Sequence, residues 1–143
     1  MDLGLRDRVA LVTGASKGIG RGVAAELVEE GARVAVTSRS RERIEATAAE
    51  IGAHAFVHDS ADLEGARALV EEVARALGPV EILVCNTGGP PAGPDPLGFS
   101  RDQWRAAYET LVLEPMALVE AAMPGMRERG FGRIVNVVST SDS

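Results

Sequence analysis

The segment Thr13-Gly14-Ala-Ser16-Lys17-Gly18-Ile19-Gly20 carries the most specific chemistry in the chain. It joins an apolar run, Arg8 to Thr13, to a stretch of helical period from Ile19 to Glu30. Glycines at such a junction let the backbone turn sharply and come close to a phosphate, while the free amides and dipole of the helix start attract the anion. Three glycines within residues 14–20 argue against a plain turn. No Gly-Lys-Ser/Thr follows at the spacing of a Walker-type loop, which excludes that way of holding a triphosphate.

Two cations lie close to this segment in the expected fold: Lys17 within the turn and Arg39 at the end of the second apolar run, Thr37-Ser38-Arg39. An acidic residue at that place accepts hydrogen bonds from ribose hydroxyls, as an NAD site usually requires. A guanidinium cannot accept them but pairs well with a 2′-phosphate. This favours NADP(H); the alternative is two solvated surface cations.

The elements that must hold these residues follow from the hydrophobic pattern. Arg33 to Thr37 repeats the strand signal, Arg41 to Glu50 the charged helix pattern with a closing Gly52, and Ala53 to His58 forms a third strand. Asp62 is placed to cap a helix running to Leu77 before Gly78-Pro79, and Glu81 to Cys85 is a fourth strand. Residues Gly88 to Pro96 can continue neither structure, because they are rich in glycine and proline. Ser100 and Gln103 make a capping-box pair for a long helix to about Arg129, bent at Pro115, and Gly132 to Val138 supplies a fifth strand. Trp104 and Tyr108, one helical turn apart, are expected to be packing residues, and Cys85 to be a small core residue rather than a nucleophile. His54 and His58 show no partner motif.

Strands alternating with helices predict an α/β, Rossmann-type doubly wound parallel sheet with right-handed crossovers. The expected strand order is 3-2-1-4-5, with a ligand crevice at the switch point between strands 1 and 4. The first two helices then cover strands 1 to 3 only, and strand 5 is an apolar edge without the charges or proline that blunt one. The expectation is a truncated sheet, with residues 1–143 as the N-terminal part of a longer dinucleotide-binding domain.

At 143 residues the chain suits one domain. Its net charge of −6 and lack of a basic run argue against nucleic acid and acidic membrane surfaces as partners. No apolar run reaches the length of a membrane span, and a single cysteine forms no internal disulfide, which together suit a cytoplasmic protein acting on small molecules.

The spacing Thr-Gly-x-x-x-Gly-x-Gly resembles the N-terminal motif of the short-chain dehydrogenase/reductase family. Asp59, ending the third strand, is similar to that family's adenine-contacting aspartate, although an aspartate before a helix serves equally as a turn or cap residue. Cys85-Asn86-Thr87-Gly88 looks like a variant of its Asn-Asn-Ala-Gly segment, and Gly132-Arg-Ile-Val-Asn-Val-Val-Ser139 resembles the strand that delivers the active-site serine. The resemblance spans all 143 residues but only the N-terminal part of a family member.

The resemblance implies hydride transfer between NADP(H) and a carbonyl or alcohol substrate, of the 3-oxoacyl reductase kind, in a homo-oligomer. It implies cofactor contacts from Gly14, Ser16, Lys17, Gly18, Ile19, Gly20, Ser38, Arg39, Asp59, Ser60, Asn86, Thr87 and Gly88. Ser139 would position the substrate oxygen, with Ser141 and Ser143 leaving its register open, and the family's Tyr-x-x-x-Lys pair would lie beyond Ser143. One departure is plain: the family's active-site asparagine, expected seven residues after Trp104, is Leu111. A leucine cannot hold a water in a proton relay, so a catalytically inactive dinucleotide-binding module, or an inactive fragment, stands as the alternative.

Overall fold

Val9–Val12 form the central strand β1, buried throughout because both of its faces are covered. A computed structural model describes residues 2–87 and 95–138. Along the chain β1 is followed by α1 (Gly18–Glu29), β2 (Arg33–Ser38), α2 (Arg41–Ile51), β3 (His54–Val57), α3 (Gly65–Ala76) and β4 (Ile82–Cys85). A single 3-10 turn at Pro96–Gly98 leads into α4 (Arg101–Tyr108), α5 (Glu114–Arg129) and β5 (Arg133–Asn136). All pairings are parallel and the order is β3-β2-β1-β4-β5, as the alternation of strands and helices requires.

The pleat divides β1 between two cores. Val9 and Leu11 pack with Leu83 and Cys85 of β4 under α3 and α5, which contribute Leu69, Val73, Leu118 and Met126. Ala10 and Val12 pack with Val34, Val36, Ile82 and Val84 under α1 and α2, which contribute Ala24, Ile44 and Ala48. Leu11, Ile44 and Leu83 are inaccessible to solvent, and such burial stabilises by roughly 1.5–3 kcal/mol per side chain.

The helix starts follow local chemistry. Ser40 accepts from the Arg43 amide to start α2, and Gly52 closes that helix in the left-handed region. Ser100 and Gln103 make the expected capping box on α4. Asp62 accepts from the Gly65 amide at 3.0 Å, but α3 begins only at Gly65, three residues beyond the expected cap.

The long helix differs from expectation. It is divided at Glu109–Leu113 by a wide π turn, in which the Glu114 amide donates to the Glu109 carbonyl five residues back. Pro115 has no amide hydrogen for the Leu111 carbonyl and its ring crowds that group, so the backbone widens just before it. Trp104 and Tyr108, expected to be packing residues, are 53% and 55% exposed; Trp104 packs edge-on against Phe99 at the surface. α4 has no buried residue, so the stripe they lie on has no buried counterpart on that helix.

Strand β5 pairs with β4 and, among the described residues, with no other strand. Ile134 packs into the core under α3 and α5, whereas Val135, in register with Val84 on the opposite face, is half exposed. No helix among the described residues is long and apolar enough to cross a membrane.

Candidate functional site

The strand order reverses between β1 and β4, and the carboxyl ends of these two parallel strands meet in a tightly bonded junction. The Thr13 hydroxyl donates to the Asn86 carbonyl at 3.1 Å and accepts from the Asn86 amide at 3.0 Å. The Asn86 side chain donates to the Gly14 carbonyl at 2.9 Å. Gly14 has φ +58°, and a Cβ there would overlap the Asn86 carbonyl; a Cβ on Gly20 would overlap the Gly14 carbonyl. Only glycine fits either position, because backbone crosses backbone there.

The turn then opens. Gly18 has φ +62° and no atom within 4 Å of where a Cβ would stand. Lys17, the residue preceding α1, is extended and makes no side-chain cap, which leaves the first amides of the helix without a side-chain acceptor. Close-packed glycines below and uncapped amides above form a cradle that fits a pyrophosphate group.

The neighbouring strand ends are tied to this turn. The Ala15 amide donates to the Thr37 carbonyl at 2.9 Å, the Thr47 hydroxyl of α2 to the Ser16 carbonyl at 3.1 Å, and the His58 amide to the Ser38 carbonyl at 3.0 Å. Ser16, Lys17, Ser38, Arg39, Asp59 and Ser60 are thereby gathered along one edge of the sheet. Lys17 and Arg39 are exposed, and neither forms an ion pair with another described residue. Asp59 is exposed as well; its Oδ1 accepts from the Ala61 amide at 2.9 Å, so the turn role open to it in the sequence is realised. Ile19 is 62% exposed beside Gly18, and Thr87 is half-buried after Asn86. Gly88 and Ser139, with residues 89–94 of the glycine- and proline-rich segment, lie outside the described residues.

Beneath this edge lies a contact that sequence reasoning missed. His58, which has no partner motif in the sequence, meets Glu114 through Nε2 and Oε1, and both side chains are buried. The separation of 56 residues hides the pair from any local motif. A signal existed nonetheless: Glu114 is in phase with Leu118, Ala122 and Met126, so a carboxylate occupies the core stripe of α5. Cys85 adjoins it. Burial, reinforced by the Glu114 charge, pushes its thiol up to about 11, which agrees with a core residue and not a nucleophile.

Leu111 lies within the π turn and is exposed, so no side-chain amide is presented at that place. Two open cavities of about 400 and 470 Å³ lie between α5 and β5 and between α3 and α5; neither includes a residue of the glycine turn.

The sequence model of the short chain dehydrogenase family matches residues 8–142. A 2-dehydro-3-deoxy-L-rhamnonate dehydrogenase (NAD(+)) from Sphingomonas is 34% identical over 135 residues, covering 94% of this chain and 54% of the relative. A fatty acyl-CoA reductase from Mycobacterium tuberculosis is 34% identical over 137 residues, covering 90% and 46%. Among solved structures, L-sorbose reductase from Gluconobacter frateurii, complexed with NADPH and L-sorbose, superposes with a TM-score of 0.84 at 32% identity, covering 95% of this chain and 54% of that one. The chain spans about half the length of the curated relatives it matches.

Proposed function

Because the chain belongs to the short-chain dehydrogenase family, whose members are oxidoreductases that bind a nicotinamide dinucleotide, we propose that it holds NADP(H) for an enzyme interconverting a carbonyl and an alcohol. The observation that carries the cofactor choice is the end of β2. There Arg39 is exposed, Lys17 of the glycine turn is exposed, and neither is engaged by a carboxylate among the described residues. A 2′-phosphate supplies the partner they lack. Relatives differ in this respect, one being named for NAD(+) and one solved with NADPH, so the choice rests on this chain's own residues.

On this reading Gly14, Gly18, Ile19 and Gly20 cradle the pyrophosphate, with Ser16 beside them. Lys17, Ser38 and Arg39 receive the phosphorylated ribose, Asp59 and Ser60 flank the adenine, and Asn86, Thr87 and Gly88 line the path towards the nicotinamide. Bound there, the cofactor supplies or accepts the hydride. Ser139 donates a hydrogen bond to the substrate oxygen. A 3-oxoacyl compound is the substrate class we favour, which a Streptomyces coelicolor relative named putative ketoacyl reductase, 37% identical over 139 residues, supports in kind. Full activity requires groups in addition to those of this chain, which we propose is the N-terminal part of a longer domain working in the cytoplasm.

A homo-oligomer forms part of the proposal. Trp104, Tyr108, Leu111, Val112 and Met116 make an exposed apolar stripe along α4 and the start of α5, suited to pairing with the same stripe of a second copy. A second reading, a dinucleotide-binding module without chemistry, is favoured by one observation, Leu111 in place of the relay asparagine.

The test is a calorimetric titration of the chain with NADPH and with NADH. Tighter binding of NADPH, reduced about tenfold by Arg39→Ala while NADH is unaffected, is the expected result. Equal affinities for the two in the parent chain overturn the NADP(H) assignment.

A further inference from the structure

His58 follows the last residue of β3 and Glu114 opens α5. Their side chains are 5% and 1% exposed, and Oε2 of Glu114 has no hydrogen-bond partner among the described residues. Stability alone is a poor reason for such a pair. Desolvating two ionisable groups offsets most of their attraction, and apolar side chains of similar volume hold a core at least as well.

What the pair does, and apolar side chains cannot, is fix a direction, because the contact forms only when Nε2 and Oε1 face each other. It anchors one residue of an edge where three segments meet. The His58 amide donates to the Ser38 carbonyl at 3.0 Å, Ser38 leads into Arg39, and Asp59 and Ser60 follow His58 directly. The Glu114 charge also acts on the Cys85 thiol, and Cys85 immediately precedes Asn86.

We propose that His58 and Glu114 are positioning residues for the adenosine half of the dinucleotide, holding the ends of β2 and β3 so that Arg39 and Asp59 face one ligand. Buried as they are, neither touches the cofactor; they act through Ser38 and Asp59. The inference rests on the dinucleotide reading above and adds to it two residues that the glycine motif does not contain.

The experiment compares the parent chain with His58→Leu and with the double variant His58→Leu/Glu114→Leu. The single variant buries a carboxylate without its partner and is expected to lose stability. The double variant removes that charge and is expected to melt close to the parent. Each folded protein is titrated with NADPH and with adenosine 2′,5′-bisphosphate, which carries the adenosine half alone. In the double variant both affinities are expected to fall by a similar factor, about fivefold, as for the loss of one hydrogen bond's positioning. A folded double variant with parental affinity for both ligands overturns the inference and leaves the dinucleotide reading intact. A fall for NADPH with adenosine bisphosphate unchanged also overturns it. A parent chain that binds neither ligand overturns both.

Discussion

The Asn86 side-chain amide and the Gly14 carbonyl oxygen are hydrogen-bonded at 2.9 Å, joining the end of β4 to the first residue of the glycine turn. The two residues are 72 apart in sequence, and the contact lies across the point where the strand order reverses. Asn86 thus braces the floor of the crevice beside Gly20 of α1, where a Cβ would meet its side-chain amide.

Removing that brace is expected to be felt locally. Asn86→Ala loses the bond to Gly14 and should lower the unfolding free energy by about 1 kcal/mol in urea denaturation. An unchanged midpoint and slope would mean that the turn holds its shape without Asn86.

Gly14 and Gly4 provide a matched comparison, with φ of +58° and +70°. An alanine at either suffers the strain of the left-handed region, on the order of 1 kcal/mol. At Gly4 no atom lies within 4 Å of the new Cβ, whereas at Gly14 the Asn86 backbone stands in its way. Gly14→Ala should therefore cost clearly more than Gly4→Ala, roughly 2–4 kcal/mol against about 1, by the same denaturation assay. Equal losses would show that the β4 end moves aside without penalty.

The Cys85 thiol is raised from 9.0 to about 11. Below pH 9 folded and unfolded states both hold the proton; between pH 9 and 11 the unfolded state releases it first, so this group's contribution to stability falls as pH rises through that window. The loss attributable to Cys85 is at most on the order of 2–3 kcal/mol, and Cys85→Ala should show a flatter decline from pH 9 to 11 than the parent. An aromatic disulfide reagent at pH 8 should react with the folded chain far more slowly than with the denatured one.

Trp104 and Tyr108 are half exposed on one stripe of α4, so charged substitutions there should not unfold the chain. Trp104→Glu/Tyr108→Glu is expected to keep the unfolding free energy within about 1 kcal/mol of the parent while lowering the sedimentation coefficient to that of a monomer. A parent chain that already sediments as a monomer at micromolar concentration would remove the reason for proposing this interface.

Much of the fold was legible because its signals are local. Apolar runs such as Val9–Val12 and Ile82–Cys85, each bounded by a polar or glycine turn, locate strands buried on both faces, and the Ser100–Gln103 box locates a helix start, since capping involves residues three apart. The interruption at Glu109–Leu113 was less so. Pro115 marked a bend, but whether a helix answers a missing amide by bending or by widening depends on what packs beneath it.

The division within the site has the same cause. By itself the sequence determined the order of strands and helices, the glycine turn at the start of α1 and the cations at Lys17 and Arg39, because each is written in residues adjacent along the chain. Only the tertiary structure decided that Asn86 closes onto Gly14, that Trp104 and Tyr108 face outward, and that His58 meets Glu114. Those contacts bring together side chains from elements far apart in sequence, and their partners are chosen by the packing of α5 and β4 on the sheet, which no local spacing encodes.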